Sequence, residues 1–361
     1  MVENPYLTVV VGTRNDNHGG DILARMLHCF HSLKEQADAF RLPTELLVVE
    51  WNPPADRGPL LDAAEWPGSS EYFRMRIVTV GTEQHRRNAW SDRIPFFQYL
   101  AKNVGLRRAR GSYILATNVD VIFSDALFSR LAARDLRPGF WYRADRWDVD
   151  PSIPIDVPAP ERQRRCLTGL KKINHRFGAL WTHDLVMPDF GSMTMEGAID
   201  TIASQVAVEV ETLPDSAGPY LGRQIHFNAC GDFTLMHRDD WDRLYGYPEL
   251  PIHSWHFDSI FLIQAYEAGL RECFFGYEWP VFHLDHDPGW GLDAFTAFHH
   301  QMLYPEDGSH RLVPRPTRVP VMDWDSVVKD FIKPVTGRGL VTFNPDGWGL
   351  AGEDLLESVI F

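Results

Sequence analysis

The sequence predicts an α/β protein built on a doubly wound, mainly parallel twisted sheet flanked by helices. Short apolar, β-branched runs recur through the first third of the chain, and segments with helical spacing separate them. Polar turns rich in Asn and Asp stand where the runs end.

The totals agree. A chain of 361 residues with 44% hydrophobic and 23% charged content can bury a substantial core, as one large domain or two modest ones. Thirty-five basic against 49 acidic residues give a net charge of -14, which argues against nucleic acid or an anionic membrane as partner. Cys29, Cys166, Cys230 and Cys273 are widely spaced, with no CxxC, so neither a disulfide framework nor a zinc ribbon is expected. That usage fits a reducing compartment. The N-terminus has no basic region followed by an apolar core, and no apolar run approaches ~18 residues, so a soluble, cytoplasmic protein is expected.

Leu7 to Val11 is the first strand, ending at Gly12-Thr13-Arg14-Asn15-Asp16. Ile22, Leu23, Met26, Leu27, Phe30 and Leu33 then follow helical spacing, and Glu45 to Glu50 is a second buried strand. Strand, helix, strand in this order is a right-handed parallel unit. Met75 to Val80 is the third strand, and Ile94 to Arg110 is an amphipathic helix delivered into Gly111.

Gly111 to Asp125, GSYILATNVDVIFSD, is the pivot. Tyr113 to Ala116 is apolar on both sides, as a central strand would be. Asn118 and Asp120 follow two residues apart and would share a face if the backbone stayed extended. Ligand crevices form at such carboxyl ends. An Asx-rich turn is the plainer alternative.

Phe140 to Val149 reads as a further strand, and 150–224 as a loop-rich insertion with two short helices. Within it Arg162-Gln163-Arg164-Arg165 and Lys171-Lys172 form a basic cluster, a solvated helix face or an anion contact. Phe227 to Met236 is a strand broken at Gly231-Asp232, and His256 to Gly269 a helix with a glycine stop. Val281 to Gly291 reads as a His/Asp-rich loop, and the remainder as an irregular, weakly helical extension. GxGxxG, GxxxxGK[ST] and GxSxG are absent at the expected places, against a dinucleotide site, a P-loop or a hydrolase elbow.

In this order the pieces resemble the nucleotide-sugar glycosyltransferases of GT-A fold, of the family-2-like group. The TRND loop is similar to the family's uridine-contacting loop, carried by Thr13, Arg14 and Asp16, and Glu50 takes the place of the first Asp of its VVDD segment. Ala101 to Gly105 through Ala109-Arg110-Gly111 resembles the ARNxGxxxAxG helix, and Asn118-Val119-Asp120 stands at its DxD. CGDFTLMHRDDWDRLYGYPE resembles the acceptor-side segment, with His256-Phe257-Asp258 where the family has its [ED]-D base. Asn118 for an acid, and Phe257 for the other, are the departures.

The resemblance implies a hexosyltransferase moving a sugar, from a UDP-sugar by preference, to a hydroxyl acceptor with inversion. Covering about 7–125 and 226–290, it implies a nucleotide-binding half at 1–149 and an acceptor half at 225–300, while the 150–224 insertion and the extension at 301–361 lie outside it. Mn2+ or Mg2+ would sit on Asp120, with His283-Leu284-Asp285-His286 as a second arm in which His283, on one extended face with Asp285, is a ligand or, equally, one of a set of loop histidines. Asp258 is the expected general base, with a helix-start charge as the alternative. Asp232 would hydrogen-bond sugar or acceptor hydroxyls or serve the turn, Trp255 and Trp290 would stack on a sugar face or pack in the core, and Lys102 would reach a phosphate or lie on a helix surface. Asn118 would add an amide oxygen or a sugar contact. A non-catalytic nucleotide-sugar or glycan-binding module, and a nucleotidyltransferase, are the rival readings.

Overall fold

The first strands are apolar on both faces and therefore need a helical layer on each side. A computed structural model of the chain describes residues 4–17, 19–213, 225–250, 256–286 and 324–361. The first part runs β1 (Leu7–Thr13), α1 (Ile22–Ala39), β2 (Thr44–Trp51), β3 (Phe73–Val80), α2 (Thr82–Arg86), α3 (Gln98–Arg108), β4 (Tyr113–Ala116), β5 (Val121–Phe123) and α4 (Asp125–Ala132). Next come β6 (Phe140–Arg143), β7 (Arg146–Val149), α5 (Ala159–Thr168), β8 (Leu170–His175), β9 (Gly178–Trp181) and α6 (Met195–Thr212). The last are β10 (Thr234–His237), α7 (Arg238–Leu244), α8 (Phe257–Glu267), β11 (Arg271–Phe274), β12 (Val281–Leu284) and β13 (Leu356–Ile360).

An eight-stranded sheet has the order β11-β6-β10-β4-β1-β2-β3-β13. Its centre, β4-β1-β2-β3, is parallel, while β10 and β13 run antiparallel to their neighbours. Val9, Val11, Leu46 and Val48 pack on the side of Met26, Phe30 and Leu33 of α1. Val10, Leu47 and Val49 face Leu100, Ala101 and Val104 of α3. This strict alternation is the expected period of two.

Gly105 lets α3 lie on the sheet. A Cβ there would run into Val10 Cγ1 and come within 3.2 Å of Val49 Cγ2, both side chains of rigid central strands. Gly105→Val is therefore expected to destabilise by about 3 kcal/mol, the upper end of overpacking. The urea midpoint reads this; an unshifted midpoint would mean that helix and sheet can part freely.

Several sequence expectations are corrected. The 140–149 run is two strands, parted at Ala144-Asp145 and placed in different sheets. The span read as loop-rich holds the β8–β9 hairpin as well as α5 and the 18-residue α6. It is not set apart at residue 150 either, because β8 pairs with β7 across that boundary. Polar LKKINH hid the strand, since two of its four buried positions, Asn174 and His175, carry polar side chains. Residues 281–284, read as loop, form β12 inside a second sheet, β5-β12-β7-β8-β9. The far C-terminal segment is not merely irregular: β13 borders β3, with Arg76 bridging Glu45 (2.9 Å) and Glu357 (2.6 Å). Among the described residues no helix is long and apolar enough to cross a membrane.

Candidate active site

Because β1 and β4 are parallel, Thr13 and Thr117 leave the sheet at one edge. β10 pairs antiparallel with β4 (Thr234 opposite Ala116), so Gly231 and Asp232, just before it, reach the same edge. β12 pairs with β5 and sets His283 opposite Val121, while Leu284 N donates to Asp120 O at 2.9 Å. Pieces far apart in sequence thus converge around residues 117–120.

Val119 and Asp120 form a tight turn, not the extended link that would put Asn118 and Asp120 on one face. Their side chains find separate partners. Asn118 donates its amide to Asp232 Oδ1 and accepts from Gln98 Nε2 at 2.8 Å. Asp120, 6% exposed, lies 3.0 Å from His286 Nε2 through Oδ2 and 3.8 Å from His283 Nε2 through Oδ1.

Asp120, His283 and His286 present three ligand atoms within 4.8 Å of one another. Asp120 Oδ1 is buried with no hydrogen-bond donor. His283 Nδ1 donates to Asp148 Oδ1 at 3.1 Å, which leaves Nε2 toward Asp120. A carboxylate behind a histidine is how metal-ligating imidazoles are oriented. An orphaned buried oxygen plus two imidazoles fits a divalent cation. Burial opposes charge on Asp120, but His283, His286 and Arg25 outweigh it and hold the carboxyl far below the usual range. Burial likewise opposes charge on His283, and Asp120 and Asp148 overcome it, raising its pKa.

Asp148 is gripped by Arg146 Nε (2.9 Å), Lys172 Nζ (3.0 Å) and Asn174 Nδ2 (3.0 Å). Arg146 Nη1 also reaches Asp232 Oδ2 at 2.7 Å. Lys102 lies neither on a surface nor in a groove: fully buried, it donates from Nζ to Gly231 O at 2.8 Å. Burial lowers its pKa to about 8 against the pull of Asp232, Asp258 and Asp120. Asp258, 9% exposed in the first turn of α8, accepts from Ser259 N at 2.8 Å. It abuts Gly231, where a Cβ would stand 2.8 Å from Asp258 Oδ2 and from Tyr99 Oη. Gly231 is the gap that allows acid, lysine and loop to meet.

The other predicted residues scatter more. Thr13 is buried with Oγ1 unpartnered. Arg14 donates to Asn52 O (2.8 Å) and pairs with Asp16 (2.9 Å) at the ends of β1 and β2. Glu50 is fully buried and accepts from Leu60 N at 2.9 Å, tying down the loop after β2. Trp255 and Trp290 lie outside the described residues. In the basic cluster, Arg162 is buried on Glu35 while Arg164 and Arg165 pair with Glu161.

Sequence reasoning missed Arg25, Arg146, Asp148 and Asn174; it named Lys172 only within the basic cluster and His286 only within the His283-Leu284-Asp285-His286 arm. His286 carried a signal, since a histidine three residues past His283 can return to the same point once the strand has ended. Instead Asp285, next to it, turns away to Lys171 (3.0 Å). Arg25 sits inside the apolar pattern of α1, 3.8 Å from Asp120.

A second buried polar group lies at the bend between the two sheets. Asp145 and His226 are both 1% exposed, 3.7 Å apart, and none of their side-chain polar atoms makes a hydrogen bond. Burial pushes the Asp145 carboxyl up to about 8, with Arg143 and Arg176 offsetting part of this. The folded chain then binds more protons than the unfolded one between about pH 4 and pH 8, so stability falls as pH rises across that window. Asp145→Asn is expected to raise Tm by an amount that grows over this window and vanishes near its acid end. Melting curves at stepped pH read it, and a pH-independent difference would contradict it.

No family model and no curated protein matches this chain. Among solved structures it is similar to GalNAc-T7 crystallised with UDP, GalNAc and Mn2+, at 11% identity and a TM-score of 0.40, covering 80% of this chain and 45% of that one. It is also similar to the catalytic domain of Drosophila beta1,4-galactosyltransferase 7 in complex with xylobiose, at 11% identity and a TM-score of 0.35, covering 91% of this chain and 79% of the other. The chain spans under half the length of the first of these. Likeness this distant carries no chemistry across.

Proposed function

We propose that this chain is a glycosyltransferase, moving a hexosyl group from a nucleoside-diphosphate sugar, a UDP-sugar in our reading, to an acceptor hydroxyl with inversion. The observation that supports it most is the Asp120, His283 and His286 group at the carboxyl end of the central parallel strands. Nearby, Asp258 abuts Gly231, whose carbonyl takes Lys102 Nζ at 2.8 Å, and the next residue, Asp232, is the partner of Asn118 two positions before Asp120.

Asp120, His283 and His286 would hold a divalent cation, which supplies the positive charge a diphosphate needs on a chain of net charge -14. Two imidazoles beside one carboxylate suit Mn2+ better than Mg2+, which prefers oxygen ligands. Asp258 accepts the proton of the acceptor hydroxyl as that oxygen bonds to the anomeric carbon. The bond from that carbon to the diphosphate breaks with its electron pair on the leaving oxygen, a single displacement that inverts the centre. Asp232, braced by Arg146 and Asn118, is set to receive sugar hydroxyls. Thr13, Arg14 and Asp16 would flank the nucleotide's base. The four cysteines are free, in keeping with a reducing, cytoplasmic setting.

A thermal-shift and UDP-release panel tests this, using nucleoside diphosphates and their sugars with Mn2+ or with EDTA. A folded-state ligand at a hundred times its Kd adds about 2.7 kcal/mol. UDP is expected to raise Tm only with Mn2+, and a UDP-sugar to release UDP when a hydroxyl acceptor is supplied. UDP binding without turnover of any donor would favour the non-catalytic module. Pyrophosphate release from a nucleoside triphosphate and a sugar phosphate would favour a nucleotidyltransferase.

A further inference from the structure

The side chains around the candidate cation group close into a ring. Asn118 donates to Asp232 Oδ1, and Asp232 Oδ2 is 2.7 Å from Arg146 Nη1. Arg146 Nε lies 2.9 Å from Asp148 Oδ1, with Nη2 3.4 Å from Oδ2. Asp148 Oδ1 takes the Nδ1 proton of His283, whose Nε2 faces Asp120 Oδ1 at 3.8 Å. The turn between 118 and 120 completes the circuit. One guanidinium therefore joins β7, the segment before β10, the β4–β5 turn and β12.

We propose that Arg146 is a positioning residue that couples the cation site to the sugar-facing Asp232, by fixing His283 through Asp148 while holding Asp232 on its other edge. The inference rests on Asp120, His283 and His286 being cation ligands. Neutralising Asp148 alone does not require Arg146, because Lys172 and Asn174 already contact that carboxylate at 3.0 Å each. What Arg146 adds is the bridge: a rigid planar fork serves two acids at once, which a lysine's single ammonium cannot. The bridge is enclosed, for Arg146 is only about a fifth exposed while Asp148 and Asp232 are nearly buried, so water screens it little. Burial opposes the guanidinium's charge, and the two aspartates outweigh that and keep it protonated.

Direct Mn2+ titration of the full chain, by electron paramagnetic resonance without nucleotide, tests the role apart from turnover. Arg146→Gln is expected to weaken Mn2+ binding roughly 10- to 100-fold, the usual effect of losing a residue that orients a ligand. Arg146→Lys should fall between, restoring one of the two contacts. In a His283→Ala background, Arg146→Gln should add less than about a twofold loss, since the ligand it acts through is gone. An Arg146→Gln protein that folds and binds Mn2+ as the wild type does would overturn the proposal. So would an equal loss in the His283→Ala background, the mark of a merely structural residue. Should Arg146→Gln fail to fold, Arg146→Lys carries the comparison, and unchanged Mn2+ affinity there overturns it equally. A wild-type chain that binds no Mn2+ would sink the cation reading and this inference together, and that outcome is distinct from the other three.

Discussion

Asp258→Asn is expected to lower kcat by about 10³-fold while leaving Mn2+ and UDP affinity within a factor of about two. General-base catalysis contributes ~10²–10⁴-fold, and 10³-fold is about 4 kcal/mol of barrier. The substitution keeps size and an oxygen for the Ser259 N–H, which Asp258 Oδ1 now accepts at 2.8 Å, so α8 should start unchanged. It removes the basic lone pairs alone. The competing role for Asp258, a charge favouring the helix start, is worth ~0.3–1 kcal/mol of stability and nothing in turnover. Steady-state kinetics beside a melting curve separates the two. Full turnover with a slightly lower Tm would return Asp258 to a purely structural part.

Asp120→Ala is expected to abolish measurable Mn2+ binding and reduce kcat/KM by ~10³-fold or more, since a cation at a leaving diphosphate is worth several kcal/mol. The carboxylate is the only anionic ligand in a group whose other members are imidazoles. Without it, Arg25, now 3.8 Å from Asp120 Oδ2, and the two histidines would face one another with no anion between them. Such a cluster is poorly suited to a dication. Calorimetric Mn2+ titration and turnover with added Mn2+ read the outcome. Wild-type turnover that survives EDTA, together with an active Asp120→Ala protein, would hand the phosphate charge to Arg residues instead.

The parallel centre of the sheet was legible in the sequence because its strands are buried on both faces, so VVV and LLVV announce themselves without context. The lesser sheet was not. Its strands are short, and a four-residue VFHL or RWDV says strand only once a neighbour is known. The site divides the same way. Asp120, His283, Asp232 and Asp258 stand at strand or helix ends and could be singled out. Arg146 and Asp148 belong to a strand whose polar residues look misplaced until their partners arrive from β8, β12 and the segment before β10. That Lys102 is buried and not on a helix surface was hidden, because a buried amine aimed at a backbone carbonyl leaves no trace in spacing.

The border strand β13 ties assembly of the sheet to the far reaches of the sequence. Its partner β3 is made some 280 residues earlier, between Phe73 and Val80, with Leu356 to Ile360 still to come. At ribosomal speeds of ~5–20 residues per second, the β3 edge waits on the order of 15–60 s before being covered. During that interval its main-chain groups offer a template for stray pairing between nascent chains. Blocking Leu356 to Ile360 should therefore lower the yield of folded protein.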